Sequence, residues 1–153
     1  MRAGHVGVIG VISDKIVGFH PTPAATEAAG GEKALLDALK RNQPQPGRLQ
    51  DDNAYFERAH ELISATDGRT AVYTYEVEIS EATLARIRSW YTEGRETLYN
   101  FPHENGQFNT GESNCAMYWV EHFRIPLPKR TGSIKVLTKQ MRDEGYDTWQ
   151  PNA

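Results

Sequence analysis

A single cysteine and an early histidine are the residues of this sequence best suited to covalent chemistry. Cys115 is the only cysteine among 153 residues, and it stands where a polar loop gives way to apolar residues at helical spacing. Backbone N–H groups and the positive end of the helix dipole stabilise a thiolate at a helix start. A nucleophilic thiol also needs a base within reach, and His5 is the candidate. The pair predicts a thiol hydrolase or acyltransferase whose histidine precedes its cysteine.

A second histidine belongs to the same end of the chain. Residues 4–12 are rich in β-branched side chains, and the pattern resumes over residues 16–20 after a short turn. Two such runs predict a β-hairpin. Because His5 enters the first strand and His20 leaves the second, we expect their side chains to lie within about 5–6 Å of each other.

A catalytic base of this kind is oriented by a third group. We expect His20 to hold the His5 ring in the right tautomer. Asp51 or Asp52 could orient His5 instead, but a helix is predicted to begin there, and an N-cap role explains these carboxylates more simply. His103, in the loop before Cys115, is a weaker candidate for a place in the cleft.

Composition excludes several classes of function. The formal net charge is −3, and no block rich in lysine and arginine offers a footprint for nucleic acid. One cysteine allows neither an internal disulfide nor a cysteine-based zinc cluster. No two histidines have the spacing of a His-Glu-x-x-His motif, so we expect no metal site and no cofactor.

The chain has no segment that predicts membrane insertion. Its longest apolar stretch, residues 6–12, falls far short of the roughly 20 residues of a membrane-spanning helix. The same stretch lacks the cleavage site of a signal peptide. We therefore expect synthesis in the cytoplasm and no stable membrane anchor.

Apolar periodicity and turn residues predict an α+β fold. Residues 24–31 and most of 94–112 are expected to be loops. The predicted strands are 4–12, 16–20 and 70–79, and the predicted helices are 32–41, 51–65, 81–93, 114–124 and 133–144.

Three short motifs together resemble those of a known fold. They are Gly4-His5-Val6-Gly7-Val8, Val17-Gly18-Phe19-His20-Pro21 and Asn114-Cys115-Ala116-Met117-Tyr118-Trp119. Their order is similar to that of the circularly permuted NlpC-type papain-like fold, which includes the lecithin:retinol acyltransferase-like enzymes. The resemblance implies one catalytic domain over residues 1–153. It also implies a small antiparallel sheet packed against helices, with the nucleophile at a helix N-terminus.

The resemblance also implies a function. Cys115, His5 and His20 would cleave phospholipid acyl esters in the manner of a phospholipase A, through a thioester on Cys115. Permuted members of this kind occur as bacterial effector domains, which implies an antibacterial toxin, export by a specialised secretion system and an immunity protein as partner. A peptidoglycan amidase or endopeptidase and a protein-amide hydrolase are alternatives on the same fold. Another is a non-catalytic binding or adaptor domain with an inert Cys115.

Four further residues are candidates for contact with the substrate. Asn114 and Tyr99 are expected to line the site beside Cys115. Phe101 and Phe108 lie in the loop before the cysteine and could form an apolar rim for an acyl chain, since loops often carry binding residues.

Overall fold

The computed structural model describes residues 5–65 and 71–150. Gly4 and Thr70, the first residues of two predicted strands, lie outside that part. The described residues form five strands and six helices, which confirms the α+β class. In chain order the elements are β1 (Gly7–Ile12), β2 (Lys15–Pro21), α1 (Pro23–Ala29), α2 (Glu32–Lys40), β3 (Gln45–Asp51), α3 (Asn53–Ala65), α4 (Glu81–Glu93), β4 (Thr97–Tyr99), β5 (Glu112–Ser113), α5 (Met117–Phe123) and α6 (Ile134–Asp143).

The five strands form one curled sheet, a half-barrel, with the strands side by side in chain order. The pairs β1–β2, β2–β3 and β3–β4 are antiparallel, whereas β5 runs parallel to β4. The expectation of a wholly antiparallel sheet is therefore wrong. The chain crosses over between β4 and β5 through residues 100–111, so it re-enters the sheet in the same direction.

The predicted hairpin is confirmed. β1 pairs with β2 so that Gly7 lies opposite Gly18 and Val8 opposite Val17. β1 begins at Gly7, later than predicted, and His5 lies just before it. Continuing the same register brings His5 opposite His20, at the end of the hairpin that faces α3.

Two elements in the first third of the chain were not predicted. Residues 24–31 were expected to be a loop, but most of them form α1, since Thr22 caps its first turn and Gly30 ends it in the left-handed conformation. Strand β3 was missed because it contains Pro46 and Gly47 and few apolar residues. It forms because β2 and β4 pair with it on both sides.

The strand predicted at 70–79 is wrong for the described residues 71–79. This segment is extended, but it makes only one isolated bridge, between Tyr73 and Thr148, and does not join the sheet. Its backbone bonds go to the C-terminal segment, where Thr74 N–H donates to Asp147 over 2.8 Å. Its alternating side chains reflect an extended backbone with two faces, which does not require a neighbouring strand.

The other predicted helices are present with small changes of bounds. α2, α3, α4 and α6 match their predictions closely, and Ser80 and Ser133 cap α4 and α6 through their side chains. α5 begins at Met117, three residues later than the predicted 114. No helix among the described residues combines the length and apolar character needed to cross a membrane.

The core joins the sheet to α4 and α5. Phe19 on β2 stacks on Tyr118 of α5, with ring centroids 4.1 Å apart. Trp119 and Ile87 are fully buried beside them. This packing places the start of α5, and with it Cys115, against the sheet whose first hairpin brings His5 and His20 together.

Candidate active site

Two imidazoles meet on one carboxylate at the end of the first hairpin. His5 Nε2 lies 2.6 Å from Asp52 Oδ2, and His20 Nε2 forms a short hydrogen bond with Asp52 Oδ1. The two rings are stacked with their centroids 4.2 Å apart, which confirms the expected proximity of the histidines. Since Nε2 of His5 is bound to Asp52, Nδ1 is the nitrogen left to face a reacting group.

Asp52 contributes to the site rather than capping α3 with its side chain. The Asp52 backbone carbonyl accepts the first helical bond, from Phe56 N–H, while both side-chain oxygens bind histidines. Asp51 takes the local role instead, because its carboxylate accepts a bond from the Asn53 N–H over 2.9 Å. The expectation that capping explains both carboxylates is therefore wrong for Asp52.

Gly18 makes the approach of His5 and Asp52 possible. A Cβ at this position would lie 1.7 Å from Asp52 Oδ2 and 2.7 Å from His5 Nε2. Both distances are far below van der Waals contact, so the carboxylate occupies space that any other residue would fill. The missing side chain at Gly18 is thus a requirement of the cluster.

The environment leaves His5 neutral and Asp52 charged at neutral pH. Burial lowers the pKa of His5, and this outweighs the hydrogen bond to Asp52, which raises it. Burial raises the pKa of Asp52, but the bonds from His20 and His5 outweigh it and hold the pKa below its ordinary value. A neutral imidazole held by a carboxylate is able to take up a proton.

The position of the His5 ring is fixed by aromatic neighbours. Its centroid lies 4.9 Å from that of Tyr55 and 5.9 Å from that of Phe56, both at the start of α3. The His5 side chain is 6% exposed and that of Asp52 is 3% exposed, whereas that of His20 is 29% exposed. His5 is the inner member of the pair, and His20 faces the solvent.

Cys115 lies next to the backbone of this cluster. The Val6 N–H, from the residue after His5, and the Tyr99 hydroxyl lie close enough to the Cys115 sulfur that both lower the pKa of the thiol. Cys115 is 3% exposed. The fold therefore brings the N-terminal histidine segment and the cysteine together across more than 100 residues of sequence.

The thiolate expected from the sequence is not favoured in this arrangement. Burial raises the pKa of Cys115 to about 11, although the Val6 N–H, the Cys115 N–H and the Tyr99 hydroxyl oppose the shift. The thiol is therefore protonated at neutral pH. Burial disfavours the charged thiolate more strongly than the few nearby hydrogen-bond donors stabilise it.

Asn114 fixes the turn that carries the cysteine. Its side-chain oxygen accepts bonds from the Ala116 and Met117 N–H groups, and its amide donates to the Gly132 carbonyl over 2.7 Å. These are the bonds of an N-cap, and they place Cys115 in the first turn ahead of α5. Both ends of the Asn114 amide are thus engaged within the protein, and its predicted contact with substrate stays a prediction.

The two predicted rim aromatics lie on the loop between β4 and β5. Phe101 has its ring centroid 6.4 Å from that of Tyr99, and the ring of Phe108 packs over Gly132. Neither residue is among those that line the large cavity described next. Their contact with an acyl chain stays a prediction.

A large apolar cavity opens beside His5. It has a volume of about 1100 Å³, at the upper end of the roughly 300–1,000 Å³ usual for ligand pockets. Its walls come from β1, α3, the extended segment 71–79 and α6. His5 and Val6 are among the wall residues, whereas Cys115 is not; other wall residues include Val8, Phe56, Leu62, Trp119, Leu137 and Met141.

The histidine cluster also has the composition of a metal site. Among the described residues, the ligand atoms of His5, His20 and Asp52 all lie within 4.8 Å of one another. Two imidazoles and a carboxylate are a ligand set that zinc accepts. No sequence motif predicts this cluster, because the three residues are separated by 15 and 32 positions.

Sequence reasoning underrated Asp52 and missed Gly18 and Val6. The adjacent pair Asp51-Asp52 could have indicated a role for Asp52 in the site. One carboxylate is enough to cap a helix, so the second can bind another group. The roles of Gly18 and of the Val6 N–H depend on backbone approach between distant segments, which composition does not record.

Comparisons with known proteins identify no relative. No protein-family model matches the chain, and no curated protein or solved structure matches it either.

Proposed function

We propose that this chain is a cysteine-dependent hydrolase or acyltransferase that cleaves phospholipid acyl esters through a thioester on Cys115. The observation that carries the proposal is the closeness of the Cys115 sulfur to the Val6 N–H, which lowers the pKa of the thiol and belongs to the residue after a histidine that Asp52 holds by Nε2. A thiol, a neutral imidazole and an orienting carboxylate are the parts of a nucleophile–base–orienter set.

In the first half-reaction, His5 Nδ1 takes the thiol proton while the Cys115 sulfur attacks the acyl carbon. The charge left on the imidazolium is balanced by Asp52. The tetrahedral oxyanion collapses, the carbon–oxygen bond to the alcohol breaks, and the imidazolium gives its proton to the departing oxygen. Because burial raises the pKa of Cys115 to about 11, proton transfer accompanies the attack rather than preceding it.

In the second half-reaction, water or another alcohol attacks the thioester. His5 takes the proton of the incoming hydroxyl and returns it to the sulfur as the carbon–sulfur bond breaks. The products are a free acid or a new ester, together with the original thiol. His20 holds Asp52 from the solvent side and so acts as a positioning residue.

The oxyanion needs hydrogen-bond donors close to the sulfur, and the chain offers two candidates. The Cys115 backbone N–H lies in the turn before α5, beside the sulfur whose pKa it lowers, and would donate to the oxyanion. The Tyr99 hydroxyl lies close enough to the sulfur to lower the pKa of the thiol, and burial raises the pKa of Tyr99 itself, which keeps the hydroxyl a donor at neutral pH.

The apolar cavity supports a lipid substrate. An acyl chain lying along its walls could place its carbonyl end near His5 and Val6, which both line the cavity. Burial of each methylene group contributes about 0.8 kcal/mol, so a long chain would gain much of its affinity there. A peptidoglycan stem or a protein side-chain amide is smaller and more polar than this cavity requires.

Phospholipid cleavage would make the protein toxic to the cell whose membrane it reaches. We therefore propose the role of an antibacterial effector, delivered by a specialised secretion system and neutralised by an immunity protein in the producing cell. A second candidate is a non-catalytic binding domain, which the 3% exposure of Cys115 favours.

The proposal is tested by lipid mass spectrometry of bacteria that express the protein in the periplasm. Wild type is compared with Cys115→Ala at equal expression. We expect lysophospholipids and free fatty acids to accumulate with the wild type alone, because the variant lacks the sulfur and keeps the fold.

Two other results would contradict the lipid assignment. Toxicity of the wild type with unchanged lipids would move the activity to peptidoglycan or protein amides, which labelled sacculi and proteome digests would then identify. If neither the wild type nor Cys115→Ala is toxic and neither changes the lipids, the non-catalytic binding domain is favoured.

A further inference from the structure

His5, His20 and Asp52 form a compact group that presents nitrogen and oxygen to one point. The ligand atoms lie within 4.8 Å of one another. Two ligands of a tetrahedral zinc ion, bound at about 2.0–2.2 Å, lie roughly 3.3 Å apart. The set therefore fits a zinc ion after small movements: the two ring nitrogens close in and the carboxylate backs away from His5.

The surroundings allow those movements. Gly18 presents no side chain to the cluster, and the carboxylate lies in the space that a Cβ would fill. The His20 side chain is 29% exposed, so the ion has a path from solvent and a water molecule could complete the tetrahedron. Tyr55 and Phe56 hold the His5 ring from the protein side, which keeps one ligand in place.

We propose that His5, His20 and Asp52 form a zinc-binding site, and that the bound ion blocks the candidate active site. The ion would take the Nε2 lone pairs of both histidines, with the ring protons moved to Nδ1, and one oxygen of Asp52. His5 would then have no free nitrogen to accept the thiol proton. The inhibition rests on the proposed function, whereas the binding does not.

The ligand types determine which ions compete. Imidazole nitrogen with a single carboxylate suits Zn²⁺ and similar transition-metal ions, whereas Mg²⁺ and Ca²⁺ prefer sets made of oxygen atoms. We therefore expect zinc to bind in the presence of a large excess of magnesium.

Binding is measured by calorimetric titration of ZnCl₂ into Cys115→Ser protein in a non-chelating buffer. This background has no thiol to bind zinc and no proposed nucleophile. We expect one ion per chain, and at least about tenfold weaker binding in His20→Asn and Asp52→Asn. His103→Asn, a histidine change outside the cluster, serves as the matched control and keeps the wild-type affinity.

Circular dichroism separates loss of ligand from loss of fold, and His20→Asn is the safer variant because His20 is partly exposed. Zinc binding of equal strength in His20→Asn and His103→Asn would overturn the site and leave adventitious binding only. Absence of 1:1 binding in the parent would overturn it as well.

The inhibition has its own measurement on wild-type protein. Saturating zinc should abolish ester cleavage, and EDTA should restore it. Cleavage that continues with the site full would overturn the block. If the protein shows no hydrolase activity at all, the titration still decides whether the zinc site exists, so the two failures are distinguishable.

Discussion

Asp52 is the residue on which the candidate site depends. It is 3% exposed and accepts a hydrogen bond from each histidine, so a buried charge is compensated by two donors. Removing the charge leaves both imidazoles without their partner, and His5 loses both its orientation and the group that stabilises its imidazolium.

We expect Asp52→Asn to lower kcat/KM for ester cleavage by about 10²- to 10⁴-fold. The pH profile should move as well. The hydrogen bond and charge of Asp52 raise the pKa of His5, so in the variant the rising limb, already below 6.5 in the wild type, shifts to lower pH. Steady-state kinetics across pH 4–8 measures both effects.

Asp51→Asn is the matched control. It changes the neighbouring carboxylate, which is exposed and bonded to Lys15 over 2.9 Å, and it should keep both the rate and the pH profile. Equal losses in the two variants would show that the effect arises from the start of α3 and not from the histidine cluster.

Individual residues of the candidate site also differ in how well their roles can be predicted from the sequence. The pairing of His5 with His20 could be predicted, because a short hairpin brings the ends of its strands together. The thiolate could not, since helix position suggests a low pKa for Cys115 while burial, which dominates, raises it to about 11. Desolvation depends on the whole fold and has no local signature.

At the scale of elements, β2 is the part of the fold that makes room for the site. Gly18 lies at its centre between Gly7 and Gln50 of the neighbouring strands. A Cβ there would strike Asp52 and His5. An alanine at position 18 would fit only if α3 or the segment before β1 moved away.

We expect Gly18→Ala to abolish activity per folded molecule and to lower the free energy of unfolding by about 1–3 kcal/mol, as overpacking does. Gly47→Ala is the comparison, since its Cβ would lie 2.7 Å from the Phe19 ring and 3.0 Å from the His20 backbone oxygen, whereas a Cβ at Gly18 would strike the His5 imidazole and the Asp52 carboxylate. Denaturant unfolding and activity are measured on both. A Gly18→Ala protein that is destabilised like Gly47→Ala yet fully active would contradict the role of this glycine.

The elements themselves were predicted best where local signals were strong. Helices with a serine cap and an apolar stripe, such as α4 and α6, matched closely. β3 could not be found, since Pro46 and Gly47 weaken its own preference and pairing on both sides overrides it. For segment 71–79 the opposite holds. Its alternating pattern favours a strand, but its backbone hydrogen bonds are made with the C-terminal segment and not with the sheet.

At the scale of the whole molecule, the half-barrel leaves a cavity of about 1100 Å³ between β1, α3, segment 71–79 and α6. Its walls are mainly apolar, and they include His5 and Val6. A cavity shaped in this way should select substrates by the length of the apolar chain rather than by the alcohol that leaves.

We expect Ala59→Phe, which adds a ring to the α3 wall of the cavity, to discriminate between chain lengths. Excluding about two methylene groups costs roughly 1.6 kcal/mol, so kcat/KM for a 16-carbon phospholipid should fall about 15-fold, while a six-carbon analogue is cleaved at the wild-type rate. Ala24→Phe, on the exposed face of α1, should change neither. Equal losses for both substrates in Ala59→Phe would place the acyl chain outside this cavity, and the lipid assignment would then lose its main structural support.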